Sequence, residues 1–169
     1  MVRATSFHGT LFETPMSQPH PLSADHPMTA VLDQQGTGTY FGIDVPFMEH
    51  IGLKPVSLTD GCCRTRLSLH PALVNSRGDM HGGTLMSAFD FTLSVAARGH
   101  DPLRYGVITV DMTTHFYEAA RSDLTVIGRC ARRGRSIAFC EGEMFDEAGK
   151  LVAVAHAVFK LILAKGAQK

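Results

Sequence analysis

The run from Gly82 to Ala97, GGTLMSAFDFTLSVAA, carries a single charged residue, Asp90. Its Ala, Leu, Met and Phe content predicts a helix over Gly83–Arg98, stopping at Gly99. A helix that is apolar almost all round must be covered on most sides, so the rest of the chain has to wrap it. A carboxylate without a partner is costly there, which gives Asp90 two readings. It is a structural group satisfied by Ser87 or Ser94, or a general base or nucleophile tuned by burial. Ser87, Asp90 and Ser94 stand at i, i+3 and i+7 and share one narrow polar face, lined by small residues that leave room for a ligand or a water.

The flanks say what covers the helix. Gly61–His70 sets Cys63, Thr65, Leu67 and Leu69 against Arg64, Arg66 and Ser68, and reads as a half-buried strand ended by Pro71. Four strand-like runs follow the helix, at Tyr105–Tyr117, Leu124–Arg132, Ser136–Phe145 and Leu151–Leu163. Turn residues separate the later ones: Arg133-Gly134, then Asp146-Glu147-Ala148-Gly149. One strand, a buried helix and an antiparallel meander predict an α+β layer with the helix lying across the sheet. A short helix over Val45–Ile51, capped by Asp44 and stopped by Gly52, is expected ahead of it. Residues 1–40 hold Pro15, Pro19, Pro21 and Pro27 and no lasting period, and read as a mobile or loosely draped arm before a domain over 41–169.

Charge and cysteine usage remove several classes. Lys+Arg 16 balances Asp+Glu 16, so no bulk charge draws the chain onto nucleic acid or an anionic membrane. No apolar run is long enough to span a bilayer, and the opening MVRATSFHGTLFETP lacks the apolar core of a signal peptide. Cys62, Cys63, Cys130 and Cys140 form no CxxC pair and read as reduced thiols, which suits a cytoplasmic setting. The arm histidines have no metal-ligand spacing, and neither a metal nor a bound cofactor is expected. An anionic ligand would need a local basic patch. Arg132, Arg133 and Arg135 around Gly134 are one candidate, read either as a solvated hairpin tip or as a phosphate contact.

The helix start is the second clue. His81-Gly82-Gly83 places glycine where a ligand can approach the backbone, beside first-turn N–H groups that lack intrahelical partners. Such donors could hold a developing oxyanion, although His-Gly-Gly taken alone reads more readily as a plain tight turn. Gly82 and Asp90 are about 12 Å apart along one helix, at roughly 1.5 Å per residue. One carbonyl cannot touch both. If both act in one reaction they come from two subunits, with two such helices antiparallel across a two-fold axis.

The run Asn75-Ser-Arg-Gly-Asp-Met-His81-Gly82-Gly83, followed by Asp90, resembles the PaaI-like, phenylacetate-pathway branch of the hotdog thioesterases. So do Gly106-Val-Ile-Thr109-Val-Asp-Met, the Arg133-Gly134-Arg135 turn and the closing strand, over roughly residues 56–163. The resemblance implies a hotdog fold, an antiparallel β-sheet wrapped around a central α-helix, and hydrolysis of acyl-CoA without metal or redox cofactor. It implies that Asp90 activates water or attacks the thioester carbonyl, and that Gly82 polarises that carbonyl through its N–H. Asn75 and His81 would shape the carbonyl pocket, Thr109 would help Asp90 hold the water, and Arg133, Gly134 and Arg135 would meet the coenzyme A tail. It implies a homodimer with shared sites, or a homotetramer built from two dimers. The long arm and the Cys62-Cys63 pair depart from the pattern. Two other readings stand beside it: an acyl-CoA-binding hotdog protein without catalysis, and a hotdog hydratase, whose Asp/His pair is not found here.

Overall fold

The computed structural model describes residues 40–164. The expected N-terminal arm lies outside the described residues except for Tyr40, which is buried and meets Phe91 edge-on with ring centroids 5.7 Å apart. A short helix α1 (Pro46–His50) leads into strands β1 (Leu53–Thr59) and β2 (Cys62–Leu67). A 3-10 turn at Pro71–Leu73 precedes the long helix α2 (Gly82–Arg98). Strands β3 (Tyr105–Phe116), β4 (Leu124–Arg133), β5 (Ile137–Phe145) and β6 (Leu151–Leu163) follow. The six strands form one sheet in the order β1-β2-β4-β5-β6-β3, every neighbouring pair antiparallel. Helix α2 packs against all six. A sheet wrapped round one central helix is the hotdog arrangement.

The helix sits close because two glycines make room for it. Gly128 of β4 and Gly142 of β5 are register partners in the middle of the sheet. A Cβ on Gly142 would stand 2.9 Å from Leu93 Cδ2 and 3.1 Å from Phe89 Cδ1, and one on Gly128 would stand 3.1 Å from the Thr92 carbonyl oxygen. Any larger residue would lift α2 off the sheet. Around this contact Phe89, Leu93, Val95, Leu67, Leu124, Val126, Met144 and Phe159 are fully buried. Each such side chain contributes roughly 1.5–3 kcal/mol by leaving water. Thr65 and Thr92 are the polar exception, their hydroxyls 2.7 Å apart, with Thr92 also bonding the Ala88 carbonyl at 2.7 Å.

Four expectations are corrected. Two strands, not one, precede α2: β1 was missed because Pro55 and a register shift between Pro55 and Ser57 break its alternation. Only β4-β5-β6 is a meander. β3 lies at the far edge beside β6, because β2 occupies the free side of β4 and α2 carries the chain across the sheet. Asp44 does not cap α1. The N-cap is Val45, without a side-chain bond, and Pro46 opens the helix through its fixed φ. Alternation in β2 holds for Cys63, Thr65 and Leu67, which are buried, and fails at Leu69, which lies beyond the strand and is exposed.

Candidate active site

Helix α2 presents Asp90 from its middle, toward the edge strand β3. The expectation of deep burial is corrected here: Asp90 is half-buried, facing a cleft of about 470 Å³ that Ser94, Phe91, Val107 and Thr109 also line. Neither serine satisfies it. Ser87 donates to the Gly83 carbonyl at 2.9 Å and Ser94 to the Phe91 carbonyl at 2.7 Å, each folding back on its own helix. The partner of Asp90 is Thr109, whose Oγ1 donates to Asp90 Oδ1 at 2.7 Å.

A bulge aims Thr109 there. The β3–β6 register shifts between Thr109 and Asp111, so that Thr109 opposes Phe159 and Asp111 opposes Val158. Val110 is the extra residue. It lets Val107 and Thr109 face the helix on one side of the bulge and Met112 and Thr114 face it on the other. Without it, strict alternation would turn half of β3 away from α2.

Both ends of α2 are closed by side chains. At the start, His81 is the N-cap and its Nδ1 accepts from the Gly83 N–H at 2.9 Å. The Thr84 and Leu85 N–H groups bond the His81 carbonyl at 2.9 and 3.2 Å. Among the described residues the Gly82 N–H takes no partner, which leaves it as the open donor of the first turn. The Phe116 ring stands over Gly82, with Cζ 3.5 Å from where a Cβ would be. Asn75 lies one loop away. Its Oδ1 accepts from the Arg77 N–H at 2.8 Å, and its N–H bonds the Asp79 carbonyl at 2.8 Å.

That loop is pinned by Asp79, a buried carboxylate. Arg121 Nε donates to its Oδ1 at 2.7 Å and Arg77 Nε to its Oδ2 at 3.4 Å. The Arg121 hydrogen bond, outweighing desolvation, holds the Asp79 carboxyl below the usual aspartate range. With its folded-state pKa depressed, the contribution of Asp79 to stability is fully present above the unfolded value, about 3.9. It is lost as pH falls through the lower folded value. Stability attributable to Asp79 should therefore be flat from neutral pH to about 4 and decline below. Urea melts across an acid series check this: Asp79→Asn should lose part of the acid limb, and an unaltered limb would show that the contact contributes nothing.

At the other end, Arg133 closes the helix C-terminus. Its Nε donates to the Ala97 carbonyl at 2.9 Å, Nη2 to Ala96 at 3.3 Å and Nη1 to Asp60 at 3.1 Å. A cation here meets the negative end of the helix dipole, bonds the last-turn Ala97 carbonyl and shares the Ala96 carbonyl with the Gly99 N–H. Another bulge, between Cys130 and Arg132, turns Arg133 inward opposite buried Ala138. Gly134 and Arg135 are exposed at the hairpin. The fold thus separates the three residues expected at the coenzyme A tail: Arg133 is committed within the molecule, and Arg135 is left outside.

Of the aromatic and Met residues considered for an acyl pocket, Phe91 lines the cleft and Phe89 is core. Phe116 covers Gly82, and Met112 packs against the core. Burial pushes the Cys63 and Cys140 thiols up, which keeps both protonated and unlike nucleophiles. Among the described residues no three His, Cys, Asp or Glu side chains converge as a metal site, and no helix is long and apolar enough to cross a membrane.

Residues 77–153 match the family model described as the thioesterase superfamily. A conserved protein of Pseudomonas aeruginosa, of solved structure, is 30% identical over 70% of this chain and 95% of that one, with a TM-score of 0.67. The chain belongs to the thioesterase superfamily. An esterase-named protein of Halobacterium salinarum is 27% identical over 103 residues, 58% of this chain and 68% of that one. The PaaI protein of the E. coli phenylacetic acid degradation operon shares the fold, with a TM-score of 0.66 at 17% identity over 70% of this chain and 86% of that one. The superfamily span takes in His81, Gly82, Asp90, Thr109 and the Arg133–Arg135 turn, while Asn75 falls just before it. The coarse activity that goes with membership is thioester hydrolysis.

Proposed function

We propose that this protein hydrolyses acyl-coenzyme A thioesters, with Asp90 as the carboxylate that activates water or attacks the carbonyl. The observation that carries the reading is the Thr109–Asp90 hydrogen bond of 2.7 Å at the wall of an open cleft. It fixes one carboxylate oxygen and leaves Oδ2 directed at nothing else among the described residues. In the general-base form, Asp90 takes a proton from water as its oxygen bonds the thioester carbon. The tetrahedral oxyanion then collapses, the C–S bond breaks, and the thiolate of coenzyme A recovers the proton. In the nucleophilic form, the Asp90 carboxylate displaces the thiolate to give an anhydride, which water opens.

Gly82 supplies the oxyanion donor in this proposal. It stands about 12 Å from Asp90 on the same helix, so the donor for one Asp90 is the partner subunit's Gly82. A homodimer with two shared sites follows, and pairing of such dimers gives a tetramer. Support comes from β3, whose outer edge is unpaired among the described residues and whose Ile108 and Val110 are 51% and 60% exposed, a surface that a second copy would cover. His81 holds the first turn in shape and Asn75 shapes the loop beside it. Arg135 and Gly134 meet the coenzyme A phosphates, while Arg133 keeps their hairpin on the helix end. The reaction and its soluble, charged substrate suit a cytoplasmic setting.

Free-thiol release from phenylacetyl-, benzoyl-, hexanoyl- and palmitoyl-CoA tests the reading. Thr109→Val, which removes the hydroxyl and keeps the shape, should lower kcat by roughly 10- to 100-fold, the worth of a hydrogen bond to a charged group. Tight acyl-CoA binding without turnover on any substrate would overturn the hydrolase reading and leave an acyl-CoA-binding protein.

A further inference from the structure

Arg98, the last residue of α2, is 3% exposed and lines the same cleft as Asp90 and Ser94. The three stand at i, i+4 and i+8, one stripe along the helix, with an axial rise of about 12 Å from Asp90 to Arg98. Arg98 Nη1 donates to the Pro102 carbonyl. Its Nη2 is buried and takes no partner, and no carboxylate pairs with this guanidinium among the described residues. A loop tether to Pro102 accounts for one nitrogen and leaves the other unexplained. A buried cation without a counter-charge is costly, and an anionic ligand group would remove that cost.

We infer that Arg98 selects acyl groups that carry a carboxylate at the end remote from the thioester. The inference rests on the thioesterase reading and adds a substrate class to it. The guanidinium fork matches a carboxylate in shape and donor number. The cleft that Asp90 and Arg98 share is also walled by Val45, Met48, Phe91, Leu103 and Val107. Such walls suit a methylene chain and offer little to the ribose or phosphates of coenzyme A, so the occupant of this end is the acyl group. The thioester carbonyl lies at Asp90, the chain runs along α2, and the terminal carboxylate ends at the Arg98 guanidinium, whose buried Nη2 turns out to the cleft to meet it.

Adipoyl- and hexanoyl-CoA differ only in that terminal carboxylate, and suberoyl- and octanoyl-CoA form a longer pair. Steady-state hydrolysis of all four by the wild type, Arg98→Gln and Arg98→Lys, with a melting curve for each, tests the assignment. The wild type should favour the acidic member of at least one pair in kcat/KM, chiefly through KM. Arg98→Gln should cut that preference by roughly 10- to 100-fold, as expected for one charge-assisted hydrogen bond. Arg98→Lys, which keeps the charge, should retain part of it, and it serves as the test if the Gln variant does not fold. Turnover of the neutral members with no preference for the acids overturns the Arg98 inference and leaves the thioesterase reading standing. No turnover on any substrate, with calorimetric binding of adipoyl-CoA that Arg98→Gln abolishes, overturns hydrolysis and keeps the Arg98 assignment. Neither turnover nor binding overturns both.

Discussion

Asp90→Asn is expected to lower kcat by about 100- to 10,000-fold on any acyl-CoA that the wild type turns over, the range for removal of a general base. Asn keeps the shape and still accepts from Thr109, but it neither takes a proton from water nor attacks a carbonyl. Substrate binding should survive, because the amide fills the same space in a cleft that Asp90 only partly closes. Stability should move by no more than about 0.5 kcal/mol, since the residue is half-buried at the cleft and anchors no packing. Thiol release measured beside a thermal melt separates the two effects. Full turnover by the variant would remove Asp90 from the chemistry. A large fall in melting temperature would instead restore the structural reading of Asp90.

Phe89→Ala carries the largest expected loss of stability. The ring is fully buried, one position from Asp90 on α2, and lies over Gly142 at the centre of the sheet. Deleting such a side chain costs about 3–5 kcal/mol through lost transfer energy and the cavity left behind. For a chain of this size, that lowers Tm by roughly 6–20 °C at equal protein concentration. The glycine floor cannot rise to fill the gap, because neither Gly128 nor Gly142 has a side chain to move. A change below about 1 kcal/mol would mean that the helix does not bear on the sheet at this point. Activity should fall with stability and recover at lower temperature, because Phe89 touches no reacting group.

The charge-poor run at 82–97 made the central helix legible, and the alternation in β2 and the turn at Asp146–Gly149 gave strands with bounds close to those observed. Asp90 stands out from the charge-poor helix, but only the family resemblance joins Thr109 to it, and no local pattern in the chain shows their contact. Their contact depends on the Val110 bulge, and a bulge is a property of the register between β3 and β6, strands separated by the whole β4–β5 hairpin. The same holds for Arg133. Arg132, Arg133 and Arg135 look alike in sequence, and the shift between Cys130 and Arg132 alone turns one of them inward to close α2. Nothing local marks Arg98, because a basic residue in the last turn of a helix is ordinary. The i, i+4, i+8 spacing from Asp90 and Ser94 was the signal available.

By itself, the sequence determined which segments bury a face and where a carboxylate stands in the helix they cover, because hydrophobic period and turn chemistry are local. The tertiary structure alone decided which strand lies beside which. It decided which hydroxyl meets Asp90, which arginine caps the helix and which lines the cleft without a carboxylate to pair with among the described residues. Those choices follow from pairing register and from the close approach that Gly128 and Gly142 permit, and both couple residues far apart in the chain.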